Sequence, residues 1–152
     1  MQKITPFLWF QVPVDEPVRF YVSLFPDAKV IGDDSAISTV QALSFELSGV
    51  TYTAFNGGPH ADFNDAFSLF VECEDQAEVD RYWDAFIANG GTPSQCGWLQ
   101  DKWGLRWQIV PAALGECLGD PDPVKAERAL QAMLGMQKLD VAALYAARDG
   151  TA

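Results

Sequence analysis

The side chains of this chain best suited to chemistry are one histidine, two amides, a hydroxyl and an indole. His60 is the only histidine in the sequence and closes the stretch "NGGPH" (residues 56–60). An imidazole titrates near neutral pH and can give or take a proton. The glycines before it let a ligand approach the backbone, and Asn56 offers both donor and acceptor. The same five residues also read as a plain connecting turn with a surface histidine, and both readings stay open. Thr53 and Gln108 stand out by repetition. Gly49, Val50, Tyr52 and Thr53 are answered by Gly104, Leu105, Trp107 and Gln108 at a constant offset of 55. Trp9 belongs to an aromatic set with Phe10, Phe55, Trp98, Trp103 and Trp107, all near predicted strands. Such rings suit either a packed core or the walls of a pocket for a flat apolar molecule. Glu46 and Glu72 could serve as an acid–base pair, but they fall on separate predicted strands and read as solvated residues. Cys73, Cys96 and Cys117 are odd in number and form no C-x-x-C pair. With no basic neighbour to stabilise a thiolate, they read as small core residues in a reducing compartment.

The elements that must position these groups repeat. "ITPFLWFQV" predicts a buried strand, and "DEPVRFYVSLF" a helix with Val18, Tyr21, Val22 and Phe25 on one face and proline in its first turn. "AKVIGDD", "STVQALSFELSG" and "VTYTAFNGG" follow as strands, the second alternating around Val40, Leu43, Phe45 and Leu47. The pattern then restarts. "FSLFVEC" matches the first strand at an offset of 60, pairing Phe7 with Phe67 and Phe10 with Phe70. "DQAEVDRYWDAFIANGG" is a helix stopped by glycines, and "TPSQCGWLQD" and "GLRWQIVP" read as strands joined by the turn "DKWG". A period near 60 marks a duplicated module. Two amphipathic helices end the chain: "DPDPVKAERALQAMLGM", capped by Asp120 or Asp122, and "LDVAALYAARDG", capped by Asp140 and stopped by Gly150.

Composition narrows the partners. With 152 residues, 49% of them hydrophobic, the chain has the length and composition of a single globular domain. Its 21 acidic residues against 10 basic ones give a formal charge of −11, which repels phosphate backbones and anionic lipid. Neither a nucleic acid nor a membrane is therefore expected as partner. "PFLWF" is too short for a signal-peptide core, and no run approaches the ~20 apolar residues of a membrane span. The expected location is the cytoplasm.

Two modules of strand, helix and three strands resemble the vicinal-oxygen-chelate superfamily of glyoxalases, bleomycin-resistance proteins and extradiol dioxygenases. More narrowly, "ITPFLWF", "FYVSLFPDAKV", "FNGGPHADFN", "QCGWLQDKWGLRWQIVP" and "DPDPVKAERALQAML" resemble its PhnB-like branch, often labelled 3-demethylubiquinone-9 3-methyltransferase-like. The resemblance covers nearly the whole chain. It implies an α+β fold of two βαβββ-type modules in one domain spanning residues 1–152. Module one covers about 1–60, module two about 66–111, and a helical tail about 112–150. The second module has room for one strand fewer, because "TPSQCGWLQD" is short for two. The repeated endings are then the last strands of two half-barrels.

In metal-using members of the superfamily, a Glu or His stands on that last strand, four residues after a turn glycine. Here the resemblance puts Thr53 and Gln108 there, and the first-strand ligand positions, near residues 6–8 and 66–68, hold no His, Cys or carboxylate. A hydroxyl and a neutral amide are weak donors for a transition metal, so no metal and no cofactor are expected. Methyl transfer is not expected either, because neither Gly57–Gly58 nor Gly90–Gly91 forms the G-x-G-x-G turn that opens a cofactor-binding helix. The reading is a small-molecule binder with an aromatic cavity, contacted by Trp9, Thr53, Asn56, His60 and Gln108. Two alternatives stand beside it: a glyoxalase-type lyase or isomerase with His60 as acid or base, and an interaction protein without ligand. A homodimer is expected, as commonly in the superfamily, with Leu130, Met133, Leu134, Leu139, Leu144 and Tyr145 forming exposed apolar surface on the tail.

Overall fold

A computed structural model describes residues 1–31 and 42–152. The Val40 end of the predicted second alternating strand lies outside the described residues. The chain divides into two compact units, residues 1–63 and 64–152.

The first unit runs β1 (Phe7–Phe10), α1 (Asp15–Leu24), β2 (Lys29–Ile31), β3 (Ala42–Leu47) and β4 (Val50–Asn56). Its sheet has the order β1-β4-β3-β2, with β1 parallel to β4 and the other pairs antiparallel. Alternation along the strands sorts the side chains. Leu8, Phe10, Leu43, Phe45, Leu47 and Ala54 are buried on the face that carries α1, whose Pro17, Val18 and Tyr21 are buried too. The Tyr21 ring lies 6.4 Å from Phe10 and 6.1 Å from Phe45. Each such side chain, fully buried, stabilises by about 1.5–3 kcal/mol. β3 and β4 are joined by Ser48 and Gly49, both at positive φ (48° and 80°), the two-residue turn whose twist suits a hairpin.

The second unit repeats the plan with β5 (Ser68–Cys73), α2 (Gln76–Ala88), β6 (Thr92–Pro93), β7 (Trp98–Gln100) and β8 (Arg106–Pro111). Its sheet order, β5-β8-β7-β6, is that of the first unit, again with the outer first strand parallel. The expectation of a missing strand is therefore corrected. "TPSQCGWLQD" is not one strand but two, folded around a turn in which Ser94 N donates to Trp98 O (2.9 Å). Cys96 and Gly97 make that turn at φ 59° and 83°. A cysteine seldom adopts positive φ, which is why the stretch reads as continuous. β6 is compressed to two residues rather than lost.

The offset of 60 between first strands is also corrected. Phe7 pairs with Thr53, and Phe70 pairs with Gln108, so Phe7 corresponds to Phe70. An odd slip of three would turn every side chain to the other face. The offset of 55 between last strands keeps its faces, with Tyr52 and Trp107 both on the helix side.

Three helices follow: α3 (Ala112–Leu118), absent from the sequence reading as a separate helix, α4 (Pro123–Leu134) and α5 (Val141–Asp149). Asp122 caps α4 by accepting from Val124 N, Asp140 caps α5 by accepting from Ala143 N, and Gly150 ends α5 at φ 75°. Their apolar residues meet each other. Leu139 and Leu144 are fully buried with Val110, Leu114, Cys117 and Ala129, and Met133 and Tyr145 pack on that cluster. The expected exposed stripe is thus largely the tail's own core, and of its members only Leu134 is mainly exposed (51%). Gln76 of α2 holds the start of α5, donating to Leu139 O (3.1 Å) and accepting from Val141 N (2.7 Å). Among the described residues, no helix is long and apolar enough to cross a membrane.

Candidate functional site

In the first unit, the sheet face opposite α1 presents Phe7 and Trp9 from β1 and Thr53 and Phe55 from β4, paired residue by residue across the parallel ladder. Directly opposed residues share a face. The rings form a cluster: Phe55 lies 5.5 Å from Phe7 and 5.2 Å from Trp9, edge to face in the second case. Beside them the Thr53 hydroxyl lies 3.3 Å from that of Ser44 on β3. The β1–β4 part of this face is apolar, with Phe7 61% exposed; it borders the Thr53–Ser44 hydroxyls and, farther along the same face, Thr51 and the Glu46–Lys29 ion pair. Such a surface can hold a flat molecule by ring contact and orient it by one hydroxyl.

The loop after β4 is fastened to the platform. Trp9 Nε1 donates to Gly58 O at 2.9 Å, and the His60 backbone N–H donates to the same oxygen at 2.9 Å. Gly57 lies against the indole, where any Cβ would collide with the ring. The glycine pair is therefore explained by contact with Trp9 as much as by turn geometry. Asn56 lies one residue beyond Phe55, opposite Phe10, and so belongs to the helix side of the sheet; its Oδ1 accepts from Gly58 N (3.3 Å) and shapes the turn. The His60 side chain is exposed to solvent. The structure thus brings Trp9 and Thr53 onto one face, puts Asn56 on the other, and leaves His60 at the loop tip.

Gln108 lies in the second unit, on the face of its sheet opposite α2. Phe70 and Trp98 flank it in register, and its Nε2 donates to Ser68 Oγ at 2.9 Å. The next row of the same face is Thr92, Gln100, Arg106 and Ser68. Of the aromatics singled out in the sequence, Phe10 and Trp107 are 1% exposed and belong to the helix-side cores. Trp9, Phe55 and Trp98 are on helix-free faces.

Asp101 escaped the sequence reading. It is 3% exposed, and its Oδ1 accepts from Trp103 N (2.9 Å) and Leu105 N (3.0 Å) while Oδ2 accepts from Trp107 Nε1 (2.9 Å). It closes the turn between β7 and β8 and fixes the strand that carries Arg106 and Gln108. An aspartate three residues before a turn glycine was the available signal.

A divalent metal does not fit these residues. Thr53 and Gln108 offer only a hydroxyl and a neutral amide oxygen, and among the described residues no three His, Cys, Asp or Glu side chains come together. The cysteines are free thiols, and burial pushes that of Cys73 up to about 12.

Residues 2–110 match the sequence model of the family described as 3-demethylubiquinone-9 3-methyltransferase. Among solved structures, the chain is similar to a putative 3-demethylubiquinone-9 3-methyltransferase, PhnB protein, from Bacillus cereus. That similarity is 30% in identity with a TM-score of 0.64, covering 73% of this chain and 100% of that one. Protein PA1353 from Pseudomonas aeruginosa shares 16% identity over 73% of this chain and 98% of its own, with a TM-score of 0.57. The fosfomycin resistance protein FosX from Listeria monocytogenes shares 15% over 70% and 89%, with a TM-score of 0.52. The last two show likeness of fold alone. No curated protein matches the chain in sequence.

Proposed function

The chain belongs to the 3-demethylubiquinone-9 3-methyltransferase family, the PhnB-like branch of the glyoxalase and bleomycin-resistance superfamily, and from that membership we propose that it binds a small, mostly apolar or aromatic molecule without a metal. The observation that carries this reading is the helix-free face of the first sheet, where the Phe7, Trp9 and Phe55 rings lie to one side of the Thr53–Ser44 hydroxyl pair. Trp9 supplies a ring edge and Thr53 a hydrogen bond. Asn56 and His60 act through the loop that borders the face, and Gln108 is the corresponding polar mark on the second unit's own sheet. Methyl transfer is not part of the reading: Gly57 lies against the Trp9 indole in the loop after β4 and Gly90–Gly91 closes α2, so neither pair opens a helix toward a cofactor.

A thermal-shift series on chelator-treated protein tests it. Indole and 1-naphthol should raise the midpoint in a saturable way, and Trp9→Ala or Thr53→Val should weaken the response. A rise seen only with Zn2+, Ni2+ or Mn2+, and never with the aromatics, would sink the proposal.

A further inference from the structure

The second unit carries a cavity of about 210 Å3 at the β6–β7 edge of its helix-free sheet face. Asp65, Thr92, Ser94, Trp98, Gln100 and Arg106 line it. Three of these, Thr92, Gln100 and Arg106, stand directly opposite one another on adjacent strands and point to one side. The cavity therefore has a polar row ending in a guanidinium, with an indole beside it.

Arg106 and Asp65 are unequal partners. Arg106 Nε donates to Asp65 Oδ1 at 2.8 Å and its Nη1 donates to Gly104 O, so the guanidinium is anchored to the β7–β8 turn. Its side chain is 21% exposed, whereas that of Asp65 is 81% exposed. The arginine is a built part of the sheet face; the aspartate reaches it from the surface. An ion pair with so exposed a partner contributes little, because water and salt screen it. Asp65 therefore shows where a carboxylate sits against this arginine, and it is held loosely enough to be replaced.

We propose that this cavity binds a small carboxylate with a flat apolar body, the ligand's carboxylate taking the place of Asp65 on Arg106 and its body lying against Trp98. The guanidinium fork matches the two oxygens of a carboxylate. Gln100 and Thr92, next in the row, can bond a second polar group on the ligand. A formal charge of −11 on the chain disfavours multiply charged anions, so a singly charged acid is the better occupant. The site uses no residue of the Trp9–Thr53 platform, but Trp98 borders Gln108 on the same sheet face, so the proposal extends the small-molecule reading to the second unit.

Benzoate and its neutral analogue benzamide are the probes, followed on the 15N-labelled full chain by backbone amide shifts. Benzoate should move Thr92, Trp98 and Gln100 and leave Trp9 and Thr53 in place. Asp65→Asn removes one carboxylate that competes for Arg106 and should tighten benzoate about two- to fivefold, the range an exposed ion pair can impose, without changing benzamide. Arg106→Gln should abolish the preference for benzoate over benzamide. Equal benzoate affinity in the parent and Asp65→Asn, or saturable shifts only outside the cavity, overturns the proposal. So does inorganic phosphate displacing benzoate at lower concentration than benzoate itself binds. Should Arg106→Gln lose its dispersed spectrum, the Asp65→Asn comparison decides alone, since Asp65 is a surface residue whose loss leaves the fold intact.

Discussion

Gly57 lies so close to the Trp9 indole that a Cβ would occupy the ring's own volume. Gly57→Ala must displace either the indole or the loop and break the bond from Trp9 Nε1 to Gly58 O. The expected cost is about 1–3 kcal/mol, typical of overpacking, read by urea unfolding. Gly115→Ala is the control: nothing lies within 4 Å of a Cβ there, and alanine is the better helix former by roughly 1 kcal/mol, so that variant should be neutral or stabilised. A second residue-scale prediction concerns pH. Burial, then the nearby Glu78 carboxylate, holds the Cys73 thiol up to about 12, while the unfolded chain's thiol ionises near its ordinary ~8.5. The unfolded state thus releases its proton first as pH rises, and the stability held below pH ~8.5 is lost progressively toward pH 12. Tyr52 and Cys117, also raised by burial, act in the same direction. Denaturant midpoints should therefore fall across this alkaline range, and fall less in Cys73→Ala. At this scale the sequence was only partly legible. Thr53 and Gln108 stood out because a repeat put them at one offset, but Asp101 sits in the polar run "LQDKWG", where an acid looks like a solvated turn residue.

The tail shows how an element's neighbours decide its chemistry. Leu144 is fully buried among Leu114, Cys117 and Leu139, whereas Leu134 on α4 is 51% exposed. Leu144→Ala should cost about 2–5 kcal/mol and Leu134→Ala no more than about 0.5 kcal/mol, both read as shifts in urea midpoint. Comparable losses at the two positions would show that the cluster does not stabilise the fold. Helices were legible because caps and periodicity are local: Asp122, Asp140 and Gly150 did what their types allow. Strand pairing is not local. The slip from offset 63 to 60 between the first strand and "FSLFVEC" went unseen because "FLWF" is apolar on both faces and finds apolar partners in "FSLFVEC" at either offset, so hydrophobicity alone cannot fix register. The two-residue β6 escaped for a related reason, since a strand held by one neighbour leaves almost no pattern.

At the scale of the molecule, the two units share one sheet order and one placement of a polar residue on the last strand, Thr53 in the first and Gln108 in the second. A homodimer is still our proposal, but it rests on the family resemblance and on exposed Phe7, Phe67, Phe70 and Val124 rather than on the tail, whose apolar residues largely cover one another. Light scattering at low protein concentration should give twice 16.7 kDa; the single-chain mass would refute the dimer. The central claim is that the first unit's helix-free face binds a flat apolar molecule with no metal. It is tested most directly by titrating indole into chelator-treated, 15N-labelled protein and following the Trp9 Nε1–H and Thr53 amide signals. The account predicts saturable shifts of both, lost in Trp9→Ala, with no change on adding Zn2+. Signals that stay still until a divalent metal is supplied would contradict it.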